Sequence, residues 1–143
     1  MVYYVVIDTN VVISAVIKAN SNPGMIMRLV DAGIIVPLIN EDILKEYRTV
    51  LNRPKFHFNP EDIEKYLNLF EAHSVNVEEE HVDIKLPDEK DRVFYEVVLA
   101  SKKQRASWLT TGNIKHFPTE TFIVTPKELC DIILGGGEQN KKS

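Results

Sequence analysis

The feature that most limits the fold is a run of six apolar residues, Val2 to Ile7, which ends at an acid, Asp8. The run is rich in β-branched and aromatic side chains and does not alternate with polar ones. This pattern predicts a strand that is buried on both faces, as in parallel sheets covered by helices. An ionised carboxylate directly after such a strand is costly unless it is paired or bound to a cation. Asp8 is therefore a candidate functional residue.

Apolar runs alternate with segments of helical periodicity along the whole chain. The predicted strands are residues 2–7, 34–39, 74–77, 107–110 and 121–124. The predicted helices are residues 10–19, 24–32, 41–52, 60–72 and 89–104, followed by a last helix that ends at Gly135. This order predicts an α/β fold, a three-layer α/β/α sandwich with a central parallel β-sheet.

Several of these elements carry specific local signals. Asn40 is a good N-cap for the helix that begins at Glu41. The segment Thr125-Pro126-Lys127-Glu128 combines an N-cap, a proline at the first helical position and a glutamate that completes a capping box. Pro37 has no amide hydrogen, which favours an edge or strand-end position for residues 34–39.

The length of 143 residues predicts one domain over residues 1–134, followed by a flexible tail over residues 135–143. No apolar run approaches the ~20 residues of a membrane span, and the pattern of a signal peptide is absent. With Cys130 as the single cysteine, these features predict a cytoplasmic protein that does not bind membranes. The net charge of −4 provides no global basic field for nucleic acid. A metal-dependent nuclease can nevertheless keep acids at its centre and basic side chains at its rim.

Candidate ligands fall at the carboxyl edge of the predicted sheet, where open parallel sheets bind ligands. Asp8 follows the first strand directly, and Asn113 follows residues 107–110 after a turn. Glu46 lies about 100° from the centre of the apolar stripe of its helix, on a flank that can reach this edge. Each has an ordinary alternative: a helix cap for Asp8, a solvated flank for Glu46 and a turn residue for Asn113.

Asp88 and Asp91 add carboxylates at the start of the helix predicted for residues 89–104. Asp88 suits the N-cap and Asp91 the third position, where acids stabilise the helix dipole by ~0.3–1 kcal/mol. An acid in that turn would also face Asp8. Clustered carboxylates repel each other unless a cation neutralises them, and hard oxygen ligands suit Mg²⁺ or Mn²⁺. The chemistry that follows is hydrolysis of a phosphodiester by a metal-activated water.

Four segments of the chain have a specific order and spacing. They are VVIDTNVVISAVI at the start, EDILKEYRTVLNRPKF near residue 50, PDEKDRVFYEVVLAS near residue 95, and WLTTGNIKHFP followed by IVTPKEL. Together they resemble the PIN-domain family, in particular the VapC-like toxin components of toxin–antitoxin pairs, over nearly the whole chain to about residue 134. The resemblance implies an α/β/α sandwich that binds Mg²⁺ or Mn²⁺ and cleaves RNA. It also implies a homodimer and an antitoxin protein that covers the site.

Carried over by position, the resemblance implies that Asp8, Glu46, Asp91 and Asn113 form the catalytic metal site, with Asp88 as the second choice to Asp91. Many relatives have an aspartate where this chain has Asn113, so a metal would be held mainly by three acids and water. Further contacts to the acids or to the substrate are expected from Thr9, Asn10, Ser14, Thr111, Lys115 and His116. Candidates for the rim of an RNA site include Arg48, Arg53 and Lys55.

Three functions are consistent with these residues. The leading hypothesis is a metal-dependent endoribonuclease, the toxin of a toxin–antitoxin pair. Asn113 in place of an acid favours a rival, a PIN-like module that has lost catalysis and binds RNA or protein. A phosphoacceptor receiver-type domain would also gather acids and Mg²⁺ at a sheet edge. It would need a lysine at the end of a late strand, and residues 107–110 end in threonine.

Overall fold

Strands and helices alternate along the chain in the computed structural model, which describes residues 1–142 and, beyond Gly135, the backbone alone. The strands are β1 (Tyr3–Ile7), β2 (Ile35–Ile39), β3 (Val75–Asn76), β4 (Ser107–Thr110) and β5 (Ile123–Val124). The helices are α1 (Thr9–Ile17), α2 (Asn22–Asp31), α3 (Glu41–Leu51), α4 (Pro60–His73), α5 (Arg92–Lys102) and α6 (Pro126–Lys142). Short 3₁₀ turns lie at Pro54–Phe56, Glu89–Asp91 and Ile114–His116.

The strands form one parallel sheet in the order β3-β2-β1-β4-β5. In the centre of this sheet, Val5 pairs with Pro37 on one side and with Trp108 on the other. Val5, Val6 and Ile7 are fully buried because helices cover both faces. The predicted three-layer α/β/α sandwich with a central parallel sheet is confirmed.

Pro37 does not lie at an edge, in contrast to the prediction. It lies within β2, between β1 and the short strand β3, which pairs only with Leu38 and Ile39. The carbonyl of Ile39 accepts a hydrogen bond from Val77 on the β3 side at 2.8 Å. Pro37 precedes Ile39 by two residues and faces the same side, ahead of the point where β3 begins. The missing amide hydrogen therefore removes no ladder bond, and an interior strand tolerates the proline.

Two helices begin at the predicted N-caps, whereas the last helix does not end at the predicted residue. The Asn40 Oδ1 accepts from the Ile43 amide at 2.9 Å, and Thr125 and Glu128 make the reciprocal bonds of a capping box at 3.1 and 2.8 Å. Gly135 was expected to end the last helix, but α6 continues to Lys142. Gly33, which closes α2, takes the left-handed φ of 77° that terminates helices, and Gly135 does not. The side chains of residues 136–143 lie outside the described residues, so the flexible tail stays a prediction.

The segment before Asp88 is held against α5 by two charged side chains. Arg92 donates to the carbonyl of Val82 at 2.6 Å and also to that of Ile84, while the buried Glu96 accepts from the Val82 amide at 2.8 Å. These bonds fix the end of a long connection without regular secondary structure. They determine where the turn that carries Asp88 and Asp91 meets the sheet. Within residues 1–142, no helix is both long and apolar enough to cross a membrane.

Candidate active site

A cavity of about 260 Å³ lies at the carboxyl edge of the sheet, beyond the end of β1. Acidic and amide side chains at this cavity come from β1, α3, the turn before α5 and the turn after β4, which are distant in sequence. Val50 and Phe94 form an apolar part of the cavity wall. The predicted site residues that line the cavity are Asp8, Thr9, Asn10, Glu46, Asp88, Asp91, Asn113 and His116. The fold thus brings most of the candidate residues to one place.

Asp8 is the most deeply placed acid of the cavity, with only 5% of its surface exposed. It occupies the N-cap position of α1, yet within the described chain its side chain makes no capping hydrogen bond. Its Oδ2 instead accepts from the Thr111 hydroxyl at 2.7 Å and from the Asn10 amide at 3.4 Å. Burial raises the pKa of Asp8 to about 6; the Thr111 hydrogen bond opposes this rise and the charge of Asp91 reinforces it.

Two side chains orient the residues around Asp8. The Thr111 hydroxyl accepts from the Asn113 amide at 2.9 Å, so its own hydrogen is directed to the carboxylate of Asp8. The Asn10 side-chain oxygen accepts from the Gly112 amide at 3.1 Å. Together these bonds tie the start of α1 to the turn after β4. Thr111 lies behind Asp8 rather than in the cavity wall, which makes it a positioning residue.

Tyr47 connects α3 to the end of β1 and was not expected to have such a role. Its ring is fully buried and packs on Phe70 and Phe94, with centroid distances of 4.6 and 6.4 Å. Its hydroxyl donates to the carbonyl of Ile7, the residue before Asp8. Glu46 is the neighbour of Tyr47, so this bond also fixes the position of Glu46 relative to Asp8. The sequence did contain a signal for this bond: Tyr47 lies at the centre of an apolar stripe. A tyrosine in that position is buried, and a buried hydroxyl needs a hydrogen-bond partner.

Replacement of Tyr47 by phenylalanine should lower the free energy of unfolding by about 1–3 kcal/mol, because the buried Ile7 carbonyl loses its partner. Urea denaturation of Tyr47→Phe beside wild type measures this loss. Tyr95→Phe is the matched control, since Tyr95 is also buried but its hydroxyl bonds to no described residue. Equal losses for the two variants would contradict the role given to the Tyr47 hydroxyl.

Asp88 and Asp91 have different surroundings, although both line the cavity. Asp88 is exposed, and its Oδ1 caps the turn by accepting from the Lys90 amide at 3.0 Å. The Asp91 side chain is only 14% exposed, and its Oδ2 lies 3.2 Å from Nδ1 of His116. Burial raises the pKa of Asp91, as does the charge of Asp88, while His116 lowers it. A partly buried carboxylate whose charge acts on Asp8 is the better candidate ligand, and this favours Asp91 over Asp88.

The donor set has the chemistry of a magnesium or manganese site, with three carboxylates and the amide oxygen of Asn113. The side-chain hydroxyl of Thr9, beside Asp8, is buried and has no partner among the described residues, so it remains free for a bound group. Among the side chains that the structure describes, those of residues 1–135, however, no three His, Cys, Asp or Glu side chains form a group that could hold an ion. The Asp8 carboxylate accepts from the Thr111 hydroxyl, and the Asp91 carboxylate is paired with His116. The residues fit a metal by their chemistry.

Basic side chains surround the acids at the mouth of the cavity. Arg53 and Lys90 are exposed and line it together with His116. Lys90 was not anticipated, because in the sequence it is only one charge of a mixed run. Acids at the floor and cations at the rim match the arrangement that a phosphodiester substrate requires.

Ser14 and Lys115 do not line the cavity, in contrast to the expectation. Ser14 is exposed on α1 and does not line the cavity, although its neighbour Ile13 does, because consecutive helical side chains point about 100° apart. Lys115 lies in a 3₁₀ turn, where consecutive side chains point about 120° apart. Because His116 faces Asp91, Lys115 is directed away from the cavity.

Comparison with known proteins agrees with this geometry. A family model described as a PIN domain matches residues 4–115, a segment that includes every candidate ligand from Asp8 to Asn113. No curated protein and no solved structure matches the chain. PIN domains are generally nucleases that act on nucleic acids and typically use divalent metal ions. With most of its length matched, the chain belongs to the PIN-domain family.

Proposed function

We propose that this chain is a divalent-metal-dependent endoribonuclease that hydrolyses phosphodiester bonds in RNA. The observation that carries the proposal is the buried Asp8, held by Thr111 in one cavity with Glu46, Asp91 and Asn113. A carboxylate whose burial raises its pKa is unfavourable for the fold by itself. A bound cation would offset that cost, which gives the cavity a reason to retain the acid.

Each residue of the cavity has a role in this proposal. Asp8, Glu46 and Asp91 would hold the ion, with the amide oxygen of Asn113 as a further ligand. When bound, Mg²⁺ or Mn²⁺ supplies a Lewis acid that lowers the pKa of a coordinating water and neutralises charge on the phosphate. Arg53 and Lys90 pair with the phosphate oxygens at the rim. His116 keeps the Asp91 carboxylate directed along the cavity wall.

Cleavage of a mixed RNA pool tests the proposed activity. Wild type should cleave with Mg²⁺, lose the activity in EDTA and regain it with Mn²⁺. Glu46→Gln should reduce the cleavage rate by at least about 10²-fold, because even indirect partners of a metal ligand are worth 10–100-fold. Glu41→Gln is the matched control on the same helix, at an exposed position outside the cavity, and should cleave like wild type. Cleavage that persists in EDTA would contradict the metal dependence.

A module without catalysis is the second candidate, and two observations favour it. Asn113 stands where many relatives have an acid, and no group of three His, Cys, Asp or Glu side chains that could hold an ion is found among residues 1–135. A measurement of metal binding distinguishes the nuclease from the module without catalysis. A site that binds Mn²⁺ should raise the Tm of wild type by roughly 5–10 °C at about a hundred-fold excess over Kd. A melting temperature that Mn²⁺ leaves unchanged, together with retained RNA binding, would support the module instead.

We further propose a cytoplasmic toxin that forms a homodimer and is neutralised by an antitoxin. The similarity of the four sequence segments to VapC-like toxins supports this biology. Growth arrest on expression of wild type, relieved by a protein encoded next to it, would support the pairing with an antitoxin. Sedimentation of the purified protein measures the oligomeric state directly, and a monomer at all concentrations would contradict the dimer.

A further inference from the structure

The loop between α3 and α4 combines basic and aromatic side chains. Residues 53–58 read Arg-Pro-Lys-Phe-His-Phe, with no acid among them, in a chain whose net charge is −4. We call these six residues the basic aromatic loop. Its first residue, Arg53, lines the cavity that contains Asp8 and Glu46. The loop is therefore continuous with the candidate active site.

The backbone of this loop presents its two phenylalanines as a stacked pair. The Phe56 amide donates to the carbonyl of Arg53 at 3.1 Å, which closes one 3₁₀ turn and keeps Phe56 beside the cavity residue. His57 then takes a left-handed conformation, with φ of 52°, which is uncommon for a residue other than glycine. This turn brings the rings of Phe56 and Phe58 to a centroid distance of 5.0 Å with an angle of 5° between their planes.

The two rings differ in their surroundings. Phe58 packs against the core, and Phe56 stacks on it from outside. The ammonium group of the exposed Lys55 lies 5.2 Å from the centroid of the Phe56 ring. Phe56 therefore forms an aromatic platform that is supported by Phe58. The ammonium group of the flexible Lys55 lies over its ring and would move aside for a base, and Arg53 lines the neighbouring cavity. Backbone strain such as that at His57 is concentrated at functional sites.

We propose that the basic aromatic loop binds the unpaired segment of RNA that leaves the cavity. Arg53 pairs with the phosphate next to the cleaved bond, Phe56 stacks on the following base, and Lys55 contacts the phosphate beyond it. This inference rests on the proposed function and specifies its substrate as single-stranded next to the cleavage position. Aromatic platforms require a splayed base, because bases within a duplex are already stacked. A loop with only basic charges next to acids favours a polyanion over a protein partner.

Fluorescence anisotropy in EDTA tests binding without cleavage, with a labelled, unpaired oligoribonucleotide as the probe. Phe56→Ala should weaken binding by about 10-fold or more, as expected for loss of one stacked base. Phe56→Leu keeps apolar bulk over Phe58 and should weaken binding nearly as much, whereas Phe56→Tyr should bind like wild type. Tyr66→Ala is the matched control, because Tyr66 also lies beside a lysine, at 5.9 Å, but outside the cavity.

Cleavage kinetics complete the test. Phe56→Ala should raise KM and leave kcat near that of wild type, since Phe56 does not touch the reacting phosphate. Wild-type affinity of Phe56→Leu for the probe, equal binding of duplex RNA, or absence of RNA binding by wild type would each overturn the proposal. An inactive enzyme whose RNA binding depends on Phe56 would support the loop and contradict the nuclease. If wild type cleaves RNA and the Phe56 variants bind and cleave like wild type, the proposed role of the loop is wrong, while the nuclease proposal stands.

Discussion

Asp8→Asn should remove metal-dependent cleavage and, at the same time, stabilise the metal-free protein at neutral pH. The loss of rate should be at least about 10²-fold, because Asp8 is placed to bind the ion itself and indirect partners already contribute 10–100-fold. The variant should fold, since an asparagine side-chain oxygen can still accept the hydrogen bond from Thr111. Loss of activity together with a gain in stability is the pattern of a residue retained for function.

The gain in stability follows from the pKa of Asp8. Its value is about 6 in the folded protein against 3.8 for an unperturbed aspartate, so the folded state binds the proton more tightly. Asp8 therefore lowers the free energy of unfolding above pH 6, by up to about 3 kcal/mol, and this penalty fades as the pH falls through 6 toward 4. Asp8→Asn should remove the penalty. It should be more stable than wild type at pH 7, and the difference should vanish near pH 4.

Urea denaturation in EDTA at several pH values measures this difference. Asp31→Asn is the matched control, because Asp31 is exposed at the end of α2 and far from the cavity in the fold. It should leave the free energy of unfolding within about 0.5 kcal/mol of wild type, as is usual for surface substitutions. An Asp8→Asn protein that is less stable than wild type at pH 7 would contradict the account of Asp8 as a buried, uncompensated charge.

Gly24→Ala should cause the largest loss of stability, about 3 kcal/mol or more. Gly24 is buried in the first turn of α2, where its amide donates to Ser21 Oγ at 3.1 Å. An added Cβ would lie 1.8 Å from the carbonyl oxygen of Ala19, a backbone atom that cannot rotate away. That carbonyl also accepts from Arg28 at 2.8 Å, so the connection between α1 and α2 would have to move.

Gly135→Ala is the control, and it should change the free energy of unfolding slightly in the opposite direction. Gly135 lies in α6, and a Cβ built there meets no atom within 4 Å among the described residues. Alanine is the better helix former by up to about 1 kcal/mol, so this variant should be as stable as wild type or slightly more so. Chemical denaturation of both variants gives the comparison. A Gly24→Ala protein within 0.5 kcal/mol of wild type would show that the close approach to Ala19 is not maintained in solution.

Local and periodic patterns were sufficient to predict much of the fold. The unbroken apolar run before Asp8 predicted the central strand, because a short run rich in β-branched and aromatic residues is typical of a strand buried on both faces. Asn40 and Thr125 were recognisable as caps from their neighbours alone. The angle of Glu46 from its apolar stripe put it on a helix flank that can reach the sheet edge, and it lines the cavity in the structure. These inferences depend only on spacing along one element.

Contacts between distant elements could not be predicted in this way. The partner of Asp91, His116, lies 25 residues farther along the chain. The bond from Tyr47 to Ile7 spans 40 residues, and that from Thr111 to Asp8 spans 103. Pro37 was misplaced because the length of its neighbour β3, which decides whether its missing amide matters, is not encoded in residues 34–39. The position of Ser14 could not be read from its own segment, because the packing of α1 on the sheet decides which helix face turns toward the cavity.

A crystal soaked in Mn²⁺ tests the central claim most directly, because anomalous scattering locates the ion without reference to activity. A second acidic cavity among the described residues serves for comparison. The first contains Asp8, Glu46 and Asp91; the second, of about 490 Å³, lies beside Asn40 and includes Asp42 and Glu79. We expect a single strong peak coordinated by Asp8 together with Glu46 or Asp91. Absence of Mn²⁺ from that cavity, or a peak only beside Asn40, would contradict the metal site on which the proposed nuclease depends.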